Sequence, residues 1–139
     1  MAKFVLDSYA LLAFFRDETG ADEVEKLLNE AADDKHELYI TVVNAGEVYY
    51  MSCRKESIAK ANQVWEAIKK FPLHFIAADM DLTLAAARIK ANYKLSYADA
   101  FAAALTIQKK ATLITGDDEF QNLVGEAGFK VKYINVKGV

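Results

Sequence analysis

Short apolar runs of four or five residues alternate with longer stretches of helical periodicity along the chain, and this alternation restricts the fold more than any single residue does. The run KFVLD (3–7) reads as a buried strand, YALLAFFR (9–16) and ADEVEKLLNEAA (21–32) as helices, and ELYIT (37–41) as a second strand. The pattern continues with helical VNAGEVYYMSCRK (43–55) and SIAKANQVWEAIKKF (57–71), then a short strand LHFIA (73–77) after Pro72. Helical MDLTLAAARIKANY (80–93) and YADAFAAALTIQKK (97–110) follow, then the strand TLIT (112–115) and a last strand KVKYINV (130–136). Strands separated by helices pair in parallel through crossovers rather than as hairpins. The expected fold class is α/β, a three-layer α/β/α arrangement with a mainly parallel central sheet of about five strands.

No linker, repeat or low-complexity stretch divides the 139 residues, so 1–139 is expected to form one domain. A chain of this size buries roughly 70% of its unfolded surface without needing disulfides. Hydrophobic residues make up 53% and charged residues 27%, which excludes a disordered chain. The apolar share lies above the usual range and leans towards an oligomer. Cys53 is the only cysteine, so no internal disulfide can form, and a cytoplasmic location is expected. The opening MAKFVLDSYALLAFFRDETG does not have the form of a secretory leader, and no run approaches a membrane span, so neither export nor membrane insertion is expected. The net charge of −3 runs against the basic footprint usual for nucleic-acid partners. That objection weakens if several acids are gathered in one metal site.

In open parallel sheets the chemistry collects beyond the carboxyl ends of the strands, where strand order reverses. Asp7 ends the first strand, and TLIT is followed at once by Gly116, Asp117 and Asp118. Each of these acids also has a plain structural explanation. Asp7 and Asp117 could cap the turns that follow them, and Ser96-Tyr97-Ala98-Asp99 has the form of a capping box. Glu47 lies in a largely apolar helix among Val43, Val48 and Met51, where a carboxylate is paired, bound to a cation or turned to solvent. Asn44, three residues earlier, shares its face and is expected to hold the Glu47 side chain. Together, Asp7, Glu47, Asp99 and Asp117 come from four separate segments. In one pocket they would repel unless a divalent cation joined them; hard oxygen ligands suit Mg²⁺ or Mn²⁺, and phosphodiester hydrolysis is the natural reaction.

The segments FVLDSYALL, TVVNAGEVYY, LSYADAFAAALT and ATLITGDDEF resemble the four successive motifs of PIN domains, particularly the VapC-type toxin ribonucleases. The resemblance runs from the first strand through Phe120. It implies a PIN-like fold and an acidic metal-binding quartet of Asp7, Glu47, Asp99 and Asp117. Ser8 and Thr115 match hydroxyl positions beside the quartet, and Asn44 matches the polar residue before the motif Glu. It also implies an Mg²⁺- or Mn²⁺-dependent endoribonuclease that acts on RNA as a homodimer and is held inactive by a VapB-type antitoxin. Asp118 directly follows Asp117; the spacing to Thr115 and Phe120 favours Asp117 as the ligand, with Asp118 supporting. The expected mechanism has Asp7 and Asp99 holding a first ion, with Glu47 and Asp117 completing the site directly or through water.

The remaining residues read more plainly. His36 falls in the charged DDKHE turn and is expected to be solvated, while His74 alternates within a strand, so the two do not form an acid–base pair. Cys53 has no partner motif. Tyr49, Tyr50, Trp65 and Phe101 fall at helical spacing, as core or dimer contacts rather than base-stacking platforms. Arg54, Lys55, Lys60, Lys69, Lys70, Arg88, Lys90 and Lys94 are mostly solvated face, some of them available as a rim for RNA, and Lys109 and Lys110 favour the negative end of their helix. A phosphorylated receiver domain shares the doubly wound plan, but Ser8 stands where a second acid is wanted and the last strand lacks the terminal lysine. A housekeeping RNA-processing nuclease and a non-catalytic binding module of the same fold would share the same strand and helix pattern. Loss of an acid would favour the binding module, and none is missing.

Overall fold

The computed structural model describes residues 1–123, 125, 126 and 128–134. Five parallel strands, β1 (Lys3–Leu6), β2 (Glu37–Thr41), β3 (Leu73–Ile76), β4 (Thr112–Thr115) and β5 (Val131–Tyr133), form one sheet in the order β3-β2-β1-β4-β5. All pairings among them are parallel. The expected continuation of the last strand to residue 136 lies outside the described residues. Helices α1 (Ser8–Phe15), α2 (Ala21–Ala32), α3 (Val42–Lys55), α4 (Ile58–Ile68), α5 (Met80–Asn92) and α6 (Tyr97–Lys109) connect the strands, and a short 3₁₀ helix, Asp118–Leu123, follows β4.

The sheet sits between two apolar layers because successive strand residues point to opposite faces. Val5, Tyr39 and Leu113 pack with residues of α5, α6 and the 3₁₀ helix, including Leu82, Ala86, Leu105 and Phe120. Their strand neighbours Leu6, Leu38, Ile40 and Ile114 pack on the other face with Leu11, Val24, Val48 and Ile68 from α1 to α4. Strands apolar on both faces are what a parallel sheet covered on both sides requires. Helix α6 is buried continuously from Asp99 to Thr106, and four of the six residues in its AFAAAL segment (100–105) are alanine.

β1 and β4 are neighbours, with Leu6 opposite Ile114. Connections from β1 lead away to β2 and β3 on one side, and β4 leads to β5 on the other, so the strand order reverses between them. The crevice beyond that junction is where such sheets hold ligands. No helix among the described residues is long and apolar enough to cross a membrane.

One expectation is corrected here. His36 is buried, not solvated: its ring packs edge-on against Phe4 with centroids 5.1 Å apart, and neither ring nitrogen has a hydrogen-bond partner among the described residues. The residue directly precedes β2, and the pairing of β2 with β1 sets its ring against Phe4 despite its charged neighbours.

Candidate metal centre

Asp7 directly follows β1 and caps α1, its Oδ1 accepting from the Ala10 amide at 2.9 Å. The Thr115 hydroxyl donates to Asp7 Oδ2 across the β1–β4 junction. The capping role open to Asp7 is thus realised, and it points the carboxylate into the crevice. The Asp117 amide donates to Thr115 Oγ1 at 2.9 Å, and Asp117 Oδ1 in turn accepts from the Glu119 amide at 2.9 Å. Thr115 therefore fixes one acid through its proton and the next through its oxygen lone pair.

Asp99 lies in the first turn of α6, where Ser96 caps the helix by accepting from the Asp99 amide at 3.1 Å. Its carboxylate meets those of Asp117 and Glu119: one oxygen from each of the three lies within 4.8 Å of the others. Glu47 stands half-buried on α3 and is held from two sides, by the Ser8 hydroxyl on Oε1 and by Tyr50 Oη on Oε2 at 3.3 Å.

Asn44 does not hold Glu47. It is fully buried, caught by the Thr41 side chain at the start of α3, and its amide donates to the Ala98 carbonyl at 3.1 Å. Asn44 thereby ties α3 to the turn that presents Asp99, and Ser8 performs the task expected of it.

The electrostatics match the crowding. Burial raises the Asp7 pKa from 3.8 to about 7, against the lowering effect of the Thr115 and Ala10 hydrogen bonds, and the charges of Asp117 and Glu47 raise it further. Asp99 is raised to about 9 by burial first, then by Asp117, Asp7 and Glu119. Buried carboxylates that raise one another's pKa need a counter-charge to stay ionised near neutral pH. An ion with oxygen bonds of about 2.1 Å would fit the Asp99, Asp117 and Glu119 oxygens after small side-chain shifts. Donor chemistry and charge both fit a hard divalent cation.

Of the residues singled out in the sequence, Asp7 feels the charges of Glu47 and Asp117, and Asp99 those of Asp7 and Asp117, so Asp7 links all four in this crevice. Asp118 is exposed and opens the 3₁₀ helix. Glu119 is a member of the cluster that the sequence does not announce; its only signal there is that it follows Asp117 by two, within reach of a tight turn. Tyr133, opposite Thr115 on β5, brings a buried hydroxyl near Asp117 and Asp118, and burial together with their charges raises its pKa.

The family model described as PIN domain matches residues 4–126. No curated protein matches the chain. Among solved structures, the chain is similar to VapBC2 from Rickettsia felis bound to a promoter DNA fragment, with TM-score 0.73, 13% identity, and 94% of this chain and 98% of that one covered. It is also similar to the toxin-antitoxin complex VapBC-5 from Mycobacterium tuberculosis (TM-score 0.62, 22% identity, 98% and 100% covered). A third is the sarcin-ricin loop cleaving toxin VapC20 from the same organism (TM-score 0.67, 14% identity, 86% and 93% covered). At these identities the likeness is one of fold.

Proposed function

Because this chain belongs to the PIN-domain family, we propose that it is a divalent-metal-dependent endoribonuclease and the toxin of a VapBC-type pair. The observation that carries the reading is the meeting of carboxylates from β1, α3, α6 and the loop after β4 at the reversal of strand order. Asp7 caps α1 and Asp117 accepts from the Glu119 amide, but neutral side chains would make the same hydrogen bonds at lower electrostatic cost, so the crowding of charge points to a cation.

Asp99, Asp117 and Glu119 would hold Mg²⁺ or Mn²⁺, with Asp7 beside them and Glu47 closing the set from the solvent side. When bound, such an ion acidifies a water and offsets the charge developing on a phosphodiester during hydrolysis. The chain's own contribution is preorganisation. Thr115 fixes Asp7 and the Asp117 loop, Ser8 fixes Glu47, and Asn44 fixes the turn before Asp99. We further assign residues 1–139 to one domain that works in the cytoplasm as a homodimer and is inhibited by a VapB-type antitoxin. The toxin-antitoxin complexes among the structural neighbours support the antitoxin part of that assignment.

The test is incubation of the purified protein with mixed RNA, with Mn²⁺ or with EDTA, beside Asp7→Asn and Asp99→Asn. Fragments should appear only for the unsubstituted protein with Mn²⁺. Cleavage that survives chelation, or persists in both variants, overturns the metal mechanism.

A further inference from the structure

The two ends of the sheet carry different chemistry. At the amino ends of β2 and β3, opposite the carboxylate crevice, a cavity of about 540 Å³ opens between the end of α2 and the start of β3. That volume falls in the range of small-molecule sites. Ala31, Leu38, Phe71, Pro72 and Leu73 give it apolar walls, and His36 lines it among them. His36 is 8% exposed, and both of its ring nitrogens are shielded from water without a hydrogen-bond partner among the described residues. A buried polar atom left unbonded is costly, and native structures hold few of them. A half-turn of the imidazole about Cβ–Cγ exchanges each nitrogen with a ring carbon, so either edge of the ring can serve the cavity.

Charge selects the occupant. Asp34 and Glu37 both line the cavity, no lysine or arginine does so among the described residues, and neither acid makes a salt bridge there. The Tyr39 hydroxyl donates to Glu37, and this bond, together with the charges of Lys3 and His74, holds the Glu37 carboxyl below the usual carboxylate range. Glu37 is therefore ionised at neutral pH. A neutral imidazole has one nitrogen free to accept a hydrogen bond. We propose that this cavity binds a small organic ammonium ion, its charge taken by Glu37 and Asp34, one of its N–H groups accepted by His36, and its apolar body laid against Phe71 and Leu73. An anion of the same shape would meet two carboxylates and no lysine or arginine. The site lies at the far end of the strands from the metal centre and stands apart from the ribonuclease reading.

The test is titration with phenethylammonium in saturating Mg²⁺, which keeps the probe from the carboxylates of the metal centre, followed by calorimetry and by the ¹⁵N resonances of the imidazoles. His36 and His74 are the only histidines, so His74→Asn assigns both. The His36 nitrogens should shift saturably, and Tm should rise. Uncharged 2-phenylethanol should bind about tenfold more weakly, and 3-phenylpropanoate more weakly still. N-acetyl-lysinamide carries the same ammonium group on a protein-like stem and should also bind about tenfold more weakly; equal or tighter binding gives the cavity to a partner's lysine and overturns the proposal. His36→Leu should weaken phenethylammonium binding about tenfold. Glu37→Gln, whose amide oxygen still accepts from Tyr39, should weaken it about fivefold. Mn²⁺ affinity should stay within about twofold in both variants. Should His36→Leu fail to fold, Glu37→Gln and the His36 resonances decide between them. His36 nitrogens unmoved at millimolar probe, an alcohol or carboxylate that binds as tightly as the amine, or an affinity unchanged in Glu37→Gln overturns the proposal. None of these outcomes touches the ribonuclease reading, which stands or falls on RNA cleavage.

Discussion

Replacing Asp7 by Asn should make the metal-free protein more stable at pH 8. The carboxylate is buried, and its pKa is raised from 3.8 to about 7. A folded-state pKa above the unfolded value means that the native protein binds the proton more tightly. Stability is therefore greatest below about pH 4 as far as this group is concerned, declines as pH rises from 3.8 towards 7, and stays reduced above that. The displacement corresponds to about 4 kcal/mol, at roughly 1.4 kcal/mol for each pKa unit. Asp99, raised to about 9, extends the decline to higher pH. Asn keeps the cap, because its Oδ1 still accepts from the Ala10 amide, and it removes a charge that faces Asp117 and Glu47. Rearrangement of the Thr115 hydroxyl will offset part of the gain, leaving about 1–3 kcal/mol, or several degrees in Tm for a domain of this size. Thermal unfolding in EDTA should show the unsubstituted protein losing stability between pH 5 and pH 8 and Asp7→Asn losing less. Adding Mn²⁺ at pH 8 should reverse the order, stabilising the unsubstituted protein strongly and the variant weakly. An Asp7→Asn protein less stable than its parent at pH 8 in EDTA, or a parent whose Tm does not fall over that range, would refute the reasoning.

Two further substitutions separate neighbours that sequence alone treats alike. Glu119→Gln should weaken Mn²⁺ binding at least tenfold by calorimetry, while Asp118→Asn, at an exposed position outside the cluster, should leave it within about twofold. Asn44→Ala leaves the Ala98 carbonyl without its side-chain donor and should cost about 1–3 kcal/mol in chemical denaturation. It should also lower cleavage more than Mn²⁺ affinity, because the turn before Asp99 loses its anchor.

The fold was legible because short apolar strand runs alternate with longer stretches of helical periodicity. KFVLD, ELYIT and TLIT each fall within a residue of β1, β2 and β4, and Asp7, Thr41, Ser57, Asp79 and Ser96 cap the helices that follow them. Asp7 and Asp117 were legible as strand-end acids, and the pairing of β1 with β4 brings them together. What local pattern could not convey was partnership across the fold. Asn44 shares a helical face with Glu47, yet its amide is claimed by a carbonyl 54 positions away. Glu119 reads as one more surface acid in GDDEF until Asp117 accepts from its amide and turns it towards Asp99. His36 reads as a turn residue because its neighbours are charged, while its burial is decided by β1 and Phe4. Tyr50 shares the helical spacing of core residues but lies on the solvent side of α3, where only the position of Glu47 gives it a role.

Diffraction from crystals grown in Mn²⁺, with data collected near the manganese absorption edge, would test the central claim most directly. An anomalous peak should lie among the carboxylates of Asp99, Asp117 and Glu119, within reach of Asp7, and vanish in crystals of Asp99→Asn. Carboxylates in the crevice with no such peak at saturating Mn²⁺, or manganese bound elsewhere on the chain, would contradict it.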